Sequence, residues 1–387
     1  MVGVRGPGAL TALLTCAMAF SMMQLFLLGA LGPRLVAELD ISPTALGLTT
    51  TVGFSTAAVL SPVGGRVVDR VGPRRCLVAL LAVAAVALIG SAPGAGFLLA
   101  AVALGGLPQA LANPATNKAI LAAVPPARRG SVTGMKQSGV QLGAFAAGLP
   151  LAALAGFTGW RGAVWTAAGA AVVAAVWAAR ALPPDPPAKS TSAVWVPRGM
   201  IAWLSVFSLL LGCGIASVNT YLSLYGTERL GLGPTAAGAL VAVLGVAGIA
   251  GRVGWSKVAG RPDRAPWLPG SLAVGAVVAA LLLACSSSFR PLAWVAAVAV
   301  GVFAVAANAV SMVLVMQRAA PGRAGQDSAL VAAGFFAGFA VGPPLFGVLA
   351  EAGRYGGGWL LVAAEFAGAG TVALLWAVRE RRAGVGS

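Results

Sequence analysis

The fold of this chain is decided by the stretch Gly64-Gly65-Arg66-Val67-Val68-Asp69-Arg70-Val71-Gly72-Pro73-Arg74-Arg75. This basic turn, with a single acid, lies between two long apolar runs, 44–63 before it and 76–89 after it. Two membrane helices joined by so short a connection must be antiparallel. Because positively charged loops resist translocation, the arginines place the turn on the cytoplasmic side. The stretch therefore predicts a helical hairpin in a membrane and fixes its orientation.

The composition is that of an integral membrane protein. Of its 387 residues, 59% are hydrophobic and 9% are charged, whereas soluble domains carry about 25% charged residues. A net charge of +16 would suggest nucleic-acid binding in a soluble protein, but basic residues collect in the loops of any inner-membrane protein. We therefore expect an all-α polytopic protein embedded in the lipid bilayer of the plasma membrane. We do not expect it to bind nucleic acid.

Twelve apolar runs approach the roughly 20 residues that a bilayer-spanning helix needs. These spans lie near 9–32, 44–64, 75–92, 97–123, 131–155, 160–180, 200–225, 235–257, 267–287, 291–316, 327–350 and 358–378. If both termini are cytoplasmic, only Arg34, Arg161, Arg229, Arg290 and Arg354 of the 26 basic residues fall on the outer side. The distribution predicts cytoplasmic termini. The first span continues to about Leu31, so we expect an uncleaved helix rather than a signal peptide.

The chain reads as two related halves. Residues 182–198 are rich in proline and serine and predict a cytoplasmic linker. It separates an N-terminal bundle of six helices, 1–181, from a C-terminal bundle, 199–387. Matching segments recur between the halves at shifts of 191 to 195 positions: 41–47 with 232–238, 111–116 with 306–311, and 148–150 with 342–344. Several matches in the same order indicate duplication.

The basic turn resembles the signature that joins helices 2 and 3 in the major facilitator superfamily. Its pattern G-x-x-x-D-R-x-G-x-R-R is formed here by six residues: Gly65, Asp69, Arg70, Gly72, Arg74 and Arg75. The resemblance covers essentially the whole chain. It implies the fold of that superfamily, with two pseudo-symmetric six-helix bundles around a central cavity, and alternating-access transport of a small molecule.

Polar residues inside the spans are candidate substrate ligands, because polar groups are costly there. Span 4 carries Gln109, Asn113, Thr116 and Asn117 at i, i+4, i+7 and i+8, on one face of the helix. The resemblance implies that spans 1, 4, 7 and 10 line the cavity and that spans 2, 5, 8 and 11 flank it. The remaining candidates of this kind are Gln24, Gln137, Gln141 and Asn308. The alternative for each amide is a hydrogen bond between helices, which contributes about 0.6 kcal/mol.

Basic side chains inside the spans favour an anionic substrate. Lys136 lies about two turns inside span 5 and Arg252 about two turns inside span 8, whereas Glu365 in span 12 is the main intramembrane acid. A buried cation needs a partner, which an organic anion can supply, and a guanidinium suits a carboxylate. Arg252 also stands where monocarboxylate- and oxalate-type carriers resemble one another in placing an arginine. The competing interpretation is that Lys118 and Lys136 extend to the cytoplasmic interface.

The signature itself predicts a conformational latch. By resemblance, Asp69 faces the start of span 11 when the cytoplasmic gate is shut, near Gln326 and Asp327, and Arg70 or Arg74 pairs with Asp327. A carboxylate at a helix N-terminus gains roughly 0.3–1 kcal/mol. Gly65 and Gly72 belong to the same predicted latch.

The predicted function is therefore secondary active transport of a small organic solute, an organic anion by preference, by a monomer with the coupling ion left open. Efflux of a drug or metabolite by antiport is the alternative, supported by a partial glycine signature at Gly134, Gly143 and Gly148, and a non-transporting receptor is a further one. No ATP-binding loop, histidine or paired acids occur, so we expect neither enzyme activity, nor a cofactor, nor a metal. The four cysteines show no CxxC spacing and are expected to pack as small residues.

Overall fold

The structure, a computed structural model, describes residues 7–185, 197–259, 266–318 and 324–385. Within these ranges the chain is almost entirely helical and contains no β-strand. The first four membrane helices are α1 (Pro7–Ala30), α2 (Pro43–Val71), α3 (Pro73–Ser91) and α4 (Ala95–Ala123). A short helix, Gly32–Leu39, lies between α1 and α2.

A glycine divides the long helical stretch that follows. Pro126–Ala146 continues through a π-helical turn, Ala147–Leu151, into Ala152–Ala181. Within it Gly159 has φ 72° and ψ 168°, a conformation outside the helical region that favours glycine. We number the part before Gly159 α5 and the part after it α6. This break separates two of the predicted spans, 131–155 and 160–180.

The remaining helices are α7 (Met200–Glu228), α8 (Pro234–Ala259), α9 (Leu268–Cys285), α10, α11 (Ala324–Glu351) and α12 (Tyr355–Val385). Helix α10 comprises Leu292–Ala299, a π-helical turn Val300–Val305, and Ala306–Arg318. Eleven continuous helices in the described ranges are long and apolar enough to cross a membrane. The break at Gly159 raises that number to twelve, so the predicted all-α polytopic fold is confirmed.

The exterior of the bundle is apolar. Val59, Phe157 and Val173 are 73%, 90% and 70% exposed although they lie within membrane helices. Apolar side chains so exposed along the bundle indicate contact with lipid rather than water. These exposed apolar side chains agree with the prediction of a multi-pass membrane protein.

Equivalent prolines begin two of the helices that the internal repeat relates. Helix α2 begins at Pro43, and the Ser42 hydroxyl before it accepts a hydrogen bond from the Ala45 N–H at 3.1 Å. Helix α8 begins at Pro234. Proline suits the first turn because its missing N–H would have no helical partner there. The repeated segments 41–47 and 232–238 thus have the same local function.

The two predicted halves contact each other through α2 with α11, α5 with α8, and α1 with α7. Many of these contacts lie far from the basic turn of α2 and α3. The Tyr221 hydroxyl donates to the Pro43 carbonyl at 2.7 Å, Ser223 donates to the Ala30 carbonyl at 3.0 Å, and Thr51 donates to the Ala340 carbonyl. We call the end with Arg70 the basic end and the opposite end the far end. The far end is closed by these cross-half hydrogen bonds.

Both π-helical turns pack against α8. A Cβ atom added at Gly148 would collide with the backbone of Gly238 and Ala242, and one added at Gly301 would collide with that of Leu244 and Gly248. The backbones are therefore in direct contact on two sides of α8. This close packing fixes the helix that carries Arg252.

A candidate substrate cleft between the two halves

A cleft lies in the middle of the bundle, lined by residues of α1, α4, α5, α8, α10 and α11. A second, smaller cavity shares Gln109, Asn113, Ala332 and Phe336 with it. That cavity extends toward the basic end, where Ser61 and Ser328 line it. Clefts between the helices of a bundle are common sites for small molecules.

The polar stripe predicted on α4 faces this space. Gln109 and Asn113 line the main cleft, and Asn113 and Asn117 line the second cavity. Thr116 is fully buried behind them. Asn308 of α10, which matches Asn113 in the internal repeat, lines the main cleft from the other half. The two related asparagines therefore reach one cleft from opposite sides.

Lys136 lies behind the stripe rather than in the cleft. Its side chain is 0% exposed, and its ammonium donates to Thr116 Oγ1 at 2.6 Å, Asn117 Oδ1 at 2.7 Å and Asn113 Oδ1 at 3.4 Å. Gln137 Nε2 donates to the same Asn113 oxygen at 3.0 Å. Lys136 thus orients the α4 stripe through neutral oxygens. In the described structure it reaches neither the membrane interface nor a carboxylate.

Arg252 is the charged residue that lines the main cleft. It is 6% exposed, and its Nη1 donates to the Gln137 carbonyl at 3.1 Å, a bond from α8 to α5 across the two halves. Its Nε has no hydrogen-bond partner among the described residues. No acidic residue lines either cavity in the part of the chain that the structure describes. The cleft therefore offers one buried positive charge without a balancing negative one.

Two more cleft residues have polar atoms without a protein partner. Gln109 Oε1 and Asn308 Oδ1 are buried and make no hydrogen bond to the described residues. Buried polar atoms in native proteins are almost always satisfied, so each exception needs an explanation. Three such atoms, including Arg252 Nε, around one cleft indicate a site for a polar ligand.

Two predicted ligands lie elsewhere. Gln24 Nε2 donates to the Ala87 carbonyl at 3.2 Å and to Ser91 Oγ at 2.8 Å, so this side chain joins α1 to α3. Gln141 is buried where α5 packs against Gly248 of α8. Neither lines the cleft. For Gln24, the alternative of a hydrogen bond between helices is therefore the correct one.

The individual apolar residues of the lining were not predicted. Met18 and Met22 of α1, Met312 of α10, and Phe335 and Phe336 of α11 all line the main cleft. In spans made almost entirely of apolar residues, an apolar cleft residue carries no sequence signal that separates it from a packing residue.

The basic turn is held by an acid that the sequence analysis assigned to the linker. Asp185 Oδ1 accepts from the Arg74 N–H at 2.7 Å and Oδ2 accepts from the Arg75 N–H at 3.1 Å, so this carboxylate caps the first turn of α3. The Arg74 guanidinium donates to the Ala179 carbonyl at 2.5 Å. In this structure Arg74 contacts Ala179 of its own half and Asp185 of the predicted linker. The pairing of Arg70 or Arg74 with Asp327, expected when the cytoplasmic gate is shut, stays a prediction.

The other latch residues are partly described. Gly72 has φ +97° and lies against the Asp185 carboxylate, Gly65 faces open space, and Arg70 is exposed. Asp327 is buried in the first turn of α11. The side chains of Asp69 and Gln326 lie outside the described residues, as does most of the predicted linker. Near the turn, the Lys118 ammonium donates to the Val68 carbonyl at 3.2 Å, close to the C-terminus of α2.

The comparisons with known proteins agree with this architecture. The sequence matches the model of the Major Facilitator Superfamily over residues 13–329. The fold is similar to that of a bacterial homologue of the human lysosomal transporter Spinster, crystallised in an inward-facing and occupied conformation, with a TM-score of 0.71 and 17% identity. It is also similar to a bacterial Spinster homologue in an inward-facing and unoccupied conformation, with a TM-score of 0.72 and 16% identity. Both comparisons cover 97% of each chain.

No curated protein matches the sequence closely enough to be reported as a relative. The family model nevertheless covers far more than half of the chain, and the helices, the cross-half cleft and the solved structures agree with it. The chain therefore belongs to the major facilitator superfamily and is a secondary transporter.

Proposed function

We propose that this transporter carries a small organic anion, and that Arg252 binds its charged group. The observation that carries the proposal is the buried guanidinium in the cleft, whose Nε lacks a partner and which no described acid faces. A buried unpaired charge costs several kcal/mol. A carboxylate in the cleft would offset that cost and form two charge-assisted hydrogen bonds.

The cleft also couples binding to movement. Gln109 and Asn113 belong to the predicted N-terminal bundle, whereas Arg252 and Asn308 belong to the predicted C-terminal bundle. A ligand held by both sides favours the arrangement in which the two bundles approach each other. We propose alternating access on this basis, with the basic turn acting as the latch when the basic end closes.

The charge distribution supports an orientation with both termini and the basic end in the cytoplasm. In that orientation, the closed far end makes this conformation an inward-facing one. Residues 1–181 and 199–387 would be the two moving units. We propose that the protein works as a monomer, since the cleft is formed within one chain.

The test is ligand-dependent stabilisation of the purified protein in detergent, with benzoate as the carboxylate probe and tetraphenylphosphonium as the lipophilic cation. We expect benzoate to raise the Tm of the wild-type protein and to lose at least about 10-fold in affinity in Arg252→Gln, since a hydrogen bond to a charged group contributes about 1.5–3 kcal/mol. Arg290→Gln, at an exposed position, is the matched control. Equal benzoate binding by Arg252→Gln would contradict the proposal.

A second candidate is efflux of an amphiphilic drug or metabolite. It is favoured by the methionine and phenylalanine lining of the cleft, because flexible and aromatic side chains suit varied apolar ligands. Stabilisation by tetraphenylphosphonium but not by benzoate would support this candidate instead.

A further inference from the structure

The cleft combines one charged group and several amides with large apolar side chains. The amide and guanidinium groups come from α4, α5, α8 and α10, whereas most of the large apolar residues come from α1, with Met18 and Met22, and from α11, with Phe335 and Phe336; Met312 of α10 adds to them. A ligand that fills this cleft therefore meets both polar groups and an apolar lining, which we call the apolar side. Resting on the proposed organic-anion transport, we propose that the substrates are amphipathic monocarboxylates, with one anionic group and an apolar body that is preferably aromatic.

The apolar side is the edge of an aromatic cluster, which we define as Phe54, Phe335, Phe336 and Phe339. The ring centroids of Phe54 and Phe336 are 5.8 Å apart, those of Phe54 and Phe339 4.6 Å, and those of Phe335 and Phe339 4.5 Å. These distances are typical of favourable ring pairs. Phe54 and Phe339 are each 1% exposed, so the rings of the cluster other than Phe335 and Phe336, which line the cleft, are closely packed.

The aromatic cluster also joins the two halves, since Phe54 belongs to α2 and the other three rings to α11. Farther from the basic end, Thr51 donates to the Ala340 carbonyl. The cluster thus lies between the cleft and the closed far end. An apolar ligand body packed against Phe336 would extend this cluster into the cleft rather than occupy a separate pocket.

The number of charges in the cleft limits the number on the substrate. Arg252 is the one charged residue lining the two cavities in the described part of the chain, because Lys136 is turned away toward Thr116 and Asn117. A second carboxylate on the ligand would meet only uncharged side chains. Such a group would lose its hydration without gaining an oppositely charged partner. Dicarboxylates of similar size should therefore bind much more weakly.

Methionine makes the apolar side adaptable. Met18, Met22 and Met312 line the same cleft as Phe335 and Phe336, and their unbranched side chains adjust to irregular shapes. We therefore expect affinity to follow the apolar area of the ligand more closely than its exact shape. Each buried methylene should increase affinity by about 4-fold.

The experiment measures dissociation constants for the full-length protein in lipid nanodiscs. The probes are acetate, benzoate, 3-phenylpropionate and the dianion terephthalate, with benzamide and benzylammonium as neutral and cationic analogues. Nanodiscs without protein correct for partitioning into lipid. For the wild-type protein we expect 3-phenylpropionate to bind at least 10-fold more tightly than acetate, and terephthalate at least 10-fold more weakly than benzoate.

Phe336→Leu tests the apolar side and keeps a large apolar residue in the cluster. It should reduce the affinity ratio of 3-phenylpropionate to acetate by at least 3-fold. Phe157→Leu, which changes a phenylalanine that is 90% exposed on the outer surface, should leave the ratio unchanged. The proposal would be overturned if terephthalate bound as tightly as benzoate, or if the ratio were the same in Phe336→Leu and the wild-type protein. If none of the carboxylates bound detectably, or if Arg252→Gln bound them unchanged, the organic-anion function would fail instead.

Discussion

Two buried polar residues, Gln24 and Arg252, look alike in the sequence and differ in the structure. Both lie within apolar spans, and both were expected to bind substrate. Gln24 uses its amide to join α1 to α3 through Ala87 and Ser91. Arg252 has a free Nε and lines the cleft. The difference is which side of its helix each residue occupies relative to the neighbouring helices.

Replacing Gln24 should therefore lower stability without changing substrate affinity. Gln24→Met keeps an unbranched side chain of similar size and removes two interhelical hydrogen bonds. At about 0.6 kcal/mol for each such bond in a membrane, we expect a loss of about 1 kcal/mol. Thermal unfolding in detergent measures the loss, and benzoate binding provides the comparison. A large loss of benzoate affinity at unchanged Tm would instead indicate that Gln24 binds the substrate.

A stripe of polar residues is easier to place from sequence than a single one. Of the predicted α4 stripe, Gln109, Asn113 and Asn117 line a cavity, because three amides on one face leave little choice of direction, and Thr116 is buried behind them. A single amide such as Gln24 has no such pattern. The positions of Met22 and Phe336 in the cleft lining could not be predicted, since their neighbours in the sequence are equally apolar.

Among the elements, the connection between α2 and α3 shows that two glycines of one motif have different functions. Gly72 has φ +97°, and the Asp185 carboxylate lies where a side chain would begin. Gly65 is helical, and a Cβ atom there would meet nothing within 4 Å. One glycine is required by this structure, and the other is not.

Alanine substitution should separate the two positions. Gly72→Ala forces a non-glycine residue into a strained conformation and should cost about 1–3 kcal/mol. Gly65→Ala should leave the Tm unchanged or raise it, because alanine favours helix. If the latch operates as proposed, Gly65→Ala should still reduce transport, since α11 must come close to this surface when the basic end shuts. Full transport by that variant would remove Gly65 from the latch.

Helix α3 depends on a residue more than a hundred positions away. Asp185 accepts from the N–H groups of Arg74 and Arg75 and is 7% exposed at its side chain. Local sequence rules look for a cap next to the helix, so they miss this contact. The sequence did predict the helix itself, near 75–92, and the basic turn before it.

Asp185→Ala should therefore destabilise the protein by about 0.5–2 kcal/mol, the range for loss of a capping side chain. The matched control is Glu38→Ala, because Glu38 pairs with Arg161 at 3.5 Å while its side chain is 44% exposed. An exposed pair of this kind contributes about 0–1 kcal/mol. Urea or thermal unfolding of both variants provides the measurement. Equal, small effects would show that the Asp185 cap contributes no more than an exposed ion pair.

For the whole molecule, the closed far end can be tested by locking it. Thr50 of α2 and Thr220 of α7 face each other with 3.3 Å between their hydroxyl oxygens, and both are buried. Cysteines at these two positions, in a background without the four native cysteines, should form a disulfide across the halves. Transport should then stop under oxidation and return on reduction, because the far end can no longer open.

The single variant Thr50→Cys in the same background is the control, and oxidation should leave its transport unchanged. Continued transport by the oxidised double variant, with the disulfide verified by mass, would mean that the far end does not need to open.

The twelve-helix architecture was predictable from hydropathy and charge. Which end is closed was not, since both conformations of a carrier share one sequence.

The contact of α8 with two π-helical turns has a consequence for how this transporter can diversify. Residues such as Met22 or Met312 can change size, because their side chains line the cleft. Gly148 and Gly301 touch the α8 backbone directly, so any thickening there would push Arg252 out of place. New specificities in such a carrier should therefore evolve by substitution of the side chains that line the cleft, while the glycines that contact α8 are retained.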